Sequence, residues 1–245
     1  MPIEVVAAKS SPWNEKRKIE LFGGWITYFS IWFVVMGVAS LYYFYHSFPK
    51  TNVWAARISP YDEIIHRHSK NHKLDWRLVA SIIHTESSFR PRAISTKGAL
   101  GLMQIMPIVA REQNRQFSDE PDQNIMIGVR HFKKKMKRID GETGEDALRL
   151  SLAAYNVGLG HLRDAQNLAM RLEKNPRRWT DVSKALLLLE KPKYYKKAKF
   201  GYCQGKKVVQ YVSRVFTQYL VYRNMYPIRP VAITQANLEN LKPST

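Results

Sequence analysis

The stretch ESSFRPRAISTKGALGLMQIMP, residues 86–107, decides the fold of this chain. Just upstream, Leu78, Val79, Ile82 and Ile83 recur at helical spacing from Trp76 to about Ser87, and Asp75 stands as a good N-cap. Glu86 lies four residues beyond Ile82, on the same side as that apolar stripe. A carboxylate there is costly to bury ionised, so the fold must pair it, expose it at a cleft or keep it protonated. Its place near a helix C-terminus, where the macrodipole is negative, disfavours the anion further. A carboxyl held protonated near neutral pH is what a glycosidic leaving group needs. The local pattern by itself fits at least as well an exposed helix-terminal Glu paired with Arg90 or Arg92.

Working outward, a helix is expected to start at Ser59 or Pro60 and run through Tyr61, Ile64, Ile65 and His68. Another is expected to begin at Pro107. Further helices follow over roughly 123–139, 145–156, 160–172, 180–189 and 206–226, separated by loops with Gly, Pro, Asn and Asp. No run alternates well enough to demand a sheet. The predicted class is therefore mainly α.

Toward the N-terminus, residues 21–48 contain no Asp, Glu, Lys or Arg, which is long enough to cross a hydrocarbon core as one helix. Trp25 and Tyr28 near its start and Tyr42, Tyr43 and Tyr45 near its finish suit the two water interfaces. The run exceeds a usual signal core, and Val38, Ala39 and Ser40 are followed by bulky aromatics, so a retained anchor is expected rather than a cleaved signal. Lys9, Lys16, Arg17 and Lys18 favour a cytoplasmic tail, residues 1–20, with the remainder sent outward; Lys50 and Arg57 weaken that asymmetry. A connector over 49–57, a catalytic domain over 58–226 and a tail over 227–245 complete the expected organisation.

The net charge of +19 and a pI near 10.0 imply an acidic partner. The densest basic runs, 133–138 and 191–199, belong to no recognisable nucleic-acid module, so no nucleic-acid partner is expected. Cys203 is the only cysteine, which excludes an intramolecular disulfide. His66, His68, His72 and His84 cluster in sequence, but no pair of histidines brackets a Glu at metalloprotease spacing, and no metal is expected.

The 86–107 stretch resembles the signature of the lytic transglycosylases that share the lysozyme-like, goose-type fold: Glu86, Ser95, Gly98, Gly101, Leu102, Met103 and Gln104 fall in its register. A second family motif is similar to LAAYNVGLGHL, residues 152–162, and places Tyr155 and Asn156. The likeness narrows to a membrane-bound branch through AARISPYDEIIHRH, KLDWRLVASI and KPKYYKKAKFGYCQGKKVVQYV, and covers about residues 55–225. That branch carries a solute-binding-type domain where this chain has its apolar segment, so regulation by such a domain does not carry over.

The resemblance implies that Glu86 protonates the oxygen between N-acetylmuramic acid and N-acetylglucosamine in peptidoglycan. As carboxylate it then deprotonates the muramoyl 6-hydroxyl, which closes to a 1,6-anhydro end, with no cofactor. Glycoside hydrolases ordinarily use two carboxylates. No Asp or Glu occurs between Glu86 and Glu112, and neither motif holds a second acid. The resemblance also implies Ser95, Met103, Gln104, Tyr155 and Asn156 as substrate-binding residues, with Ser95 bonding the sugar or holding Glu86, and Tyr155 supporting the reacting ring. Met103 suits core packing as well as cleft lining. Phe89 and Tyr202 are candidates for stacking on sugar faces or for packing inside. A hydrolytic muramidase of the same fold and a noncatalytic wall-binding assembly factor are the competing readings, and partners in an envelope-spanning assembly stay open.

Overall fold

The computed structural model describes residues 31–43 and 57–227. The chain divides into two units, Met1–Ala55 and Ala56–Thr245. In the first, residues 31–43 form helix α1 with exposed side chains. The rest of the expected 21–48 span lies outside the described residues. None of the described helices is long and apolar enough to cross a membrane.

The second unit is helical: α2 (Asp62–Asn71), α3 (Trp76–Ser87), α4 (Pro107–Arg111), α5 (Pro121–Met136), α6 (Gly144–Val157), α7 (Leu159–Arg171), α8 (Trp179–Leu188), α9 (Pro192–Tyr195) and α10 (Gly205–Met225). Its β structure among the described residues is limited to isolated bridges, Ile94 with Leu100 and Leu100 with Ile105, which pin the loop after α3. The Asp75 carboxylate caps α3 by accepting from the Arg77 N–H. It is gripped in turn by the Arg77 guanidinium at 2.6 Å and the Tyr219 hydroxyl at 2.9 Å, which ties the start of α3 to α10. The first helix of this unit begins at Asp62 rather than Ser59 or Pro60. The Asp62 carboxylate folds back onto the N–H groups of Ile58 and Ser59, so those residues form a turn before the helix. At α5 Glu120 is the cap, accepting from the N–H groups of Asp122 and Gln123.

The core is built on α3 and α10, which pack together while α10 also covers α6 and α8. Val79, Ile82 and Ile83 from α3, Leu152 and Ala153 from α6, and Val208, Val212 and Val215 from α10 are buried in it. Each of the Val, Ile and Leu side chains contributes roughly 1.5–3 kcal/mol by leaving water, so the helix that ends in Glu86 is anchored along its length.

The loop between α3 and α4 is held by side chains. Ser87 donates its hydroxyl to the Leu102 carbonyl at 2.9 Å. Asn124, 1 % exposed, accepts from the Met103 N–H and donates to the carbonyls of Leu100 and Ser118. Gly101, at φ +84°, sits against this amide: a Cβ there would lie 2.2 Å from Asn124 Nδ2. Asn124→Ala removes three hydrogen bonds and strands buried backbone groups, so a loss of about 2–4 kcal/mol is expected, read as a lowered thermal midpoint. A midpoint within a degree of wild type would show that the loop is held by something else.

Candidate active site

Glu86 stands in the last turn of α3, and the chain bends sharply after it. Ser88 and Phe89 both adopt left-handed backbone, at φ 50° and 59°. Such strain in non-glycine residues costs on the order of 1–3 kcal/mol each and concentrates at functional sites. It is compensated here by the Ser87 anchor to Leu102 and by Phe89 packing against the core.

Glu86 lines a cleft of ≈ 580 Å³ bounded by the 95–109 region, α5, the end of α6, the start of α7 and α10. It is the single acidic residue among the residues lining the cleft. The expected alternative, an exposed Glu86 paired with Arg90 or Arg92, is not what the fold builds. Arg90 donates its Nε–H to the Ser87 carbonyl, and neither arginine lines the cleft. Burial instead pushes the Glu86 carboxyl up to about 7, opposed by the Tyr211 hydroxyl and by the Arg214 guanidinium, both on α10. The Tyr211 hydroxyl is buried and makes no hydrogen bond of ordinary geometry, so its effect on Glu86 is that of a nearby donor. Desolvation therefore wins over both groups that favour the anion.

Two tyrosines frame the acid. Tyr155 on α6 donates its hydroxyl to the Met103 carbonyl at 2.8 Å, which fixes the ring beneath the Gly-Leu-Met-Gln loop. Burial, and next the Glu86 charge, push both Tyr155 and Tyr211 well above the usual phenol range, so both remain donors. His131 on α5 approaches Tyr155 with ring centroids 5.7 Å apart. Burial and the neighbouring Lys135 and Lys134 bring it down to about 4, so it is neutral at pH 7.

Of the residues expected to bind substrate, Ser95, Gln104, Tyr155 and Asn156 line the cleft with Glu86. The Ser95 hydroxyl accepts from the Ala99 N–H at 2.9 Å and the Lys97 N–H at 3.3 Å, leaving its own proton to donate. Gln104, at φ 48°, spends its amide N–H groups on the carbonyls of Ala93 and Gly101. Met103 is the correction. Its side chain is fully buried and packs on Gly128, where a Cβ would come within 2.4 Å of its sulfur; it does not reach the cleft. Phe89 likewise packs inward against the core, whereas Tyr202 lines the cleft, edge-on to Tyr195 at 5.6 Å. The sequence reading missed Tyr211, Arg214, Lys207 and His131. Their only signal was a position on the amphipathic faces of α10 and α5.

The architecture is thus a helical fold with a single-carboxyl cleft whose carboxyl burial raises to about 7. Residues 63–177 match the Transglycosylase SLT domain. Curated relatives include proteins named membrane-bound lytic murein transglycosylase F. That of Desulfosudis oleivorans is 35% identical over 164 residues, covering 66% of this chain and 36% of that protein. That of Hahella chejuensis is 38% identical over 164 residues, covering 66% of this chain and 32% of that protein. The chain thus spans about a third of the length of these relatives. Among solved structures, an inactive mutant of lytic transglycosylase Slt from Pseudomonas aeruginosa superposes with a TM-score of 0.51 at 20% identity, covering 73% of this chain and 26% of that one. The 70 kDa soluble lytic transglycosylase of Escherichia coli gives 0.50 at 20% identity, covering 72% and 26%. These likenesses establish the lysozyme-like fold.

Proposed function

We propose that this protein is a lytic transglycosylase that cleaves the bond between N-acetylmuramic acid and N-acetylglucosamine in peptidoglycan without water, leaving 1,6-anhydromuramoyl ends. One observation carries the reading: the cleft offers a single carboxyl, and burial holds it near the protonation midpoint at pH 7. Glu86 gives its proton to the glycosidic oxygen as the bond to the anomeric carbon breaks. The carboxylate so formed takes the proton of the muramoyl 6-hydroxyl, whose oxygen closes on the same carbon. An internal nucleophile needs no positioned water, so one side chain serves both steps. Tyr211 and Arg214 ease the interval in which Glu86 is charged, and Tyr155, Ser95, Gln104 and Asn156 hold the sugars.

Mass spectrometry of digested sacculi tests the reaction. Anhydro ends are expected. Reducing ends would replace this reading with a muramidase, and undigested sacculi would favour a noncatalytic assembly factor.

A pH dependence follows from Glu86. The acid step needs the protonated carboxyl, so kcat/KM should fall as pH rises through about 7. Tyr211→Phe and Arg214→Gln each remove a group that favours the anion, so the descending limb should move to higher pH in both. A limb that stays in place in both variants would mean that neither group acts on Glu86.

We also propose that residues 21–48 anchor the chain in a bacterial cytoplasmic membrane, with the catalytic domain in the periplasm. The uncharged run and the membrane-bound names of the relatives support an anchor, and the basic 9–18 tail supports this orientation. A reporter fused after Thr245 should be active only outside the cytoplasm; cytoplasmic activity would overturn the orientation.

A further inference from the structure

A second depression, of ≈ 340 Å³, lies between α7 and the turn that follows α9, and it shares no lining residue with the catalytic cleft. Asp164, Asn167 and Arg171 recur at spacings of three and four, so they line it from one face of α7, together with Met170. Lys197 and Lys199 line it from the turn. The turn is held in place by the buried Asp164 carboxylate, which accepts from the Lys199 N–H at 3.2 Å and the Phe200 N–H at 2.7 Å. Asp164 is thus spent on backbone donors, and it is the single acidic residue lining the depression.

Arg171, Lys197 and Lys199 are exposed. Among the described residues, none of the three has an ion-pair partner within 4.0 Å, whereas Arg77, Arg149, Arg177 and Arg178 are each paired with a carboxylate. The run 191–199 that supplies two of them holds five lysines and no acid. The glutamate that precedes it, Glu190, accepts the Lys206 N–H at the start of α10. Exposed apolar side chains stand among these cations. Met170 is 52 % exposed, and Phe200, which has the Lys199 ammonium 5.8 Å from its ring centre, is 51 % exposed.

A soluble polyanion would engage the cations and gain nothing from Met170 or Phe200. The interface of an anionic bilayer takes both: phosphates meet the Lys and Arg side chains, and apolar side chains enter the headgroup boundary. A bilayer is also close at hand if residues 21–48 anchor the chain. The nine residues of the 49–57 connector reach at most about 30 Å when fully extended, and a short tether raises the effective concentration of a weak surface contact.

We infer that Arg171, Lys197 and Lys199, with Met170 and Phe200 beside them, form a docking face for anionic phospholipid headgroups that sets the catalytic domain against the membrane surface. The inference draws on the anchor reading for the nearness of the bilayer and is independent of the reaction proposed for the cleft.

The full chain would be reconstituted into phosphatidylcholine vesicles and into vesicles in which about a third of that lipid is replaced by phosphatidylglycerol. Its amines would then be acylated by a water-soluble reagent and the labelling read by mass spectrometry. Lys197 and Lys199 should be labelled on the order of ten-fold more slowly on the anionic vesicles, while exposed Lys137 past the end of α5 reacts at one rate on both. Arg171→Gln leaves every amine in place and should cut that protection about five-fold; Arg171→Lys should restore it. Arg138→Gln, an equal loss of charge elsewhere, should leave it unchanged. Equal labelling of Lys197 and Lys199 on the two vesicles overturns the inference. So does protection that extends equally to Lys137, or an Arg171→Gln protein that matches wild type. Sacculi added to the neutral vesicles should not protect these lysines; protection there would assign the face to the wall polymer and overturn lipid docking. Extraction with alkaline carbonate tests the anchor separately. A chain that is extracted yet keeps its protection on anionic vesicles sinks the anchor reading alone, and a chain that stays in the bilayer with Lys197 and Lys199 unprotected sinks the docking face alone.

Discussion

Replacing Glu86 by Gln should abolish lysis of sacculi while leaving their binding intact. The amide nearly preserves the shape of the acid but has no proton to give to the leaving oxygen and no basicity to take one from the 6-hydroxyl. General acid or base assistance is worth about 10²–10⁴-fold for one step, and in the proposed reaction one group serves both, so the loss should lie at or above the upper end. The substitution should also change stability in a pH-dependent way. The folded Glu86 carboxyl sits at about 7 against an ordinary 4.5, so the folded state holds its proton more tightly than the unfolded chain does. That contribution is fully present below the unfolded pKa and is lost as pH rises through the folded one. Well above pH 7 the wild type carries a burial cost of roughly 3 kcal/mol that the Gln variant does not. Thermal midpoints of the two proteins should therefore diverge from pH 4 to pH 8, with the variant gaining. Undiminished lysis would show that another residue is the acid, and parallel midpoints would show that Glu86 is not desolvated.

Gly205→Ala should be the most damaging single methyl addition in the domain. A Cβ at Gly205, the first residue of α10, would lie 1.9 Å from the Leu186 carbonyl oxygen and 2.3 Å from its carbon. These are backbone atoms of α8 and cannot swing aside. The two helices must separate, which opens the contact buried by Leu186 and Val208. Overpacking of this kind costs typically 1–3 kcal/mol and occasionally more; with rigid backbone on both sides the upper end or beyond is expected. At about 2–4 °C per kcal/mol for a domain of this size, the thermal midpoint should drop by roughly 6–12 °C. Because α10 carries Lys207, Tyr211 and Arg214, cleft function should fall even at temperatures where the variant stays folded. A midpoint close to wild type would show that α8 and α10 are not in such close contact.

The helical part of this fold was legible because it depends on local signals. Asp75 caps α3, Pro107 opens α4, and the 3.6-residue apolar stripe runs through α3 as expected. The expected long helices recur within a few residues at each end. Side chains that fold back are harder to read, as with Asp62, whose carboxylate turns Ser59 away from a capping role. Short α9 carries too few residues for any periodicity. The candidate site was legible only where the motif is contiguous. Glu86, Ser95, Gln104, Tyr155 and Asn156 meet in one cleft, but the spacing of a motif does not say which way a side chain points. Met103 turns inward because the loop reverses at Gly101 and Gln104, both in left-handed backbone. Asn124 lies 21 residues from Met103, and Tyr211 and Arg214 lie 125 and 128 residues from Glu86, proximity created by packing alone.

The proposed reaction turns on one carboxyl that keeps its proton up to neutral pH inside the cleft. Its titration is the most direct test: carbon-13 NMR of glutamate-labelled protein, with the Glu86→Gln variant used to assign the resonance. The predicted result is a single Glu86 transition with its midpoint at about 7, coinciding with the descending limb of kcat/KM. A midpoint in the ordinary carboxylate range near 4.5 would contradict it.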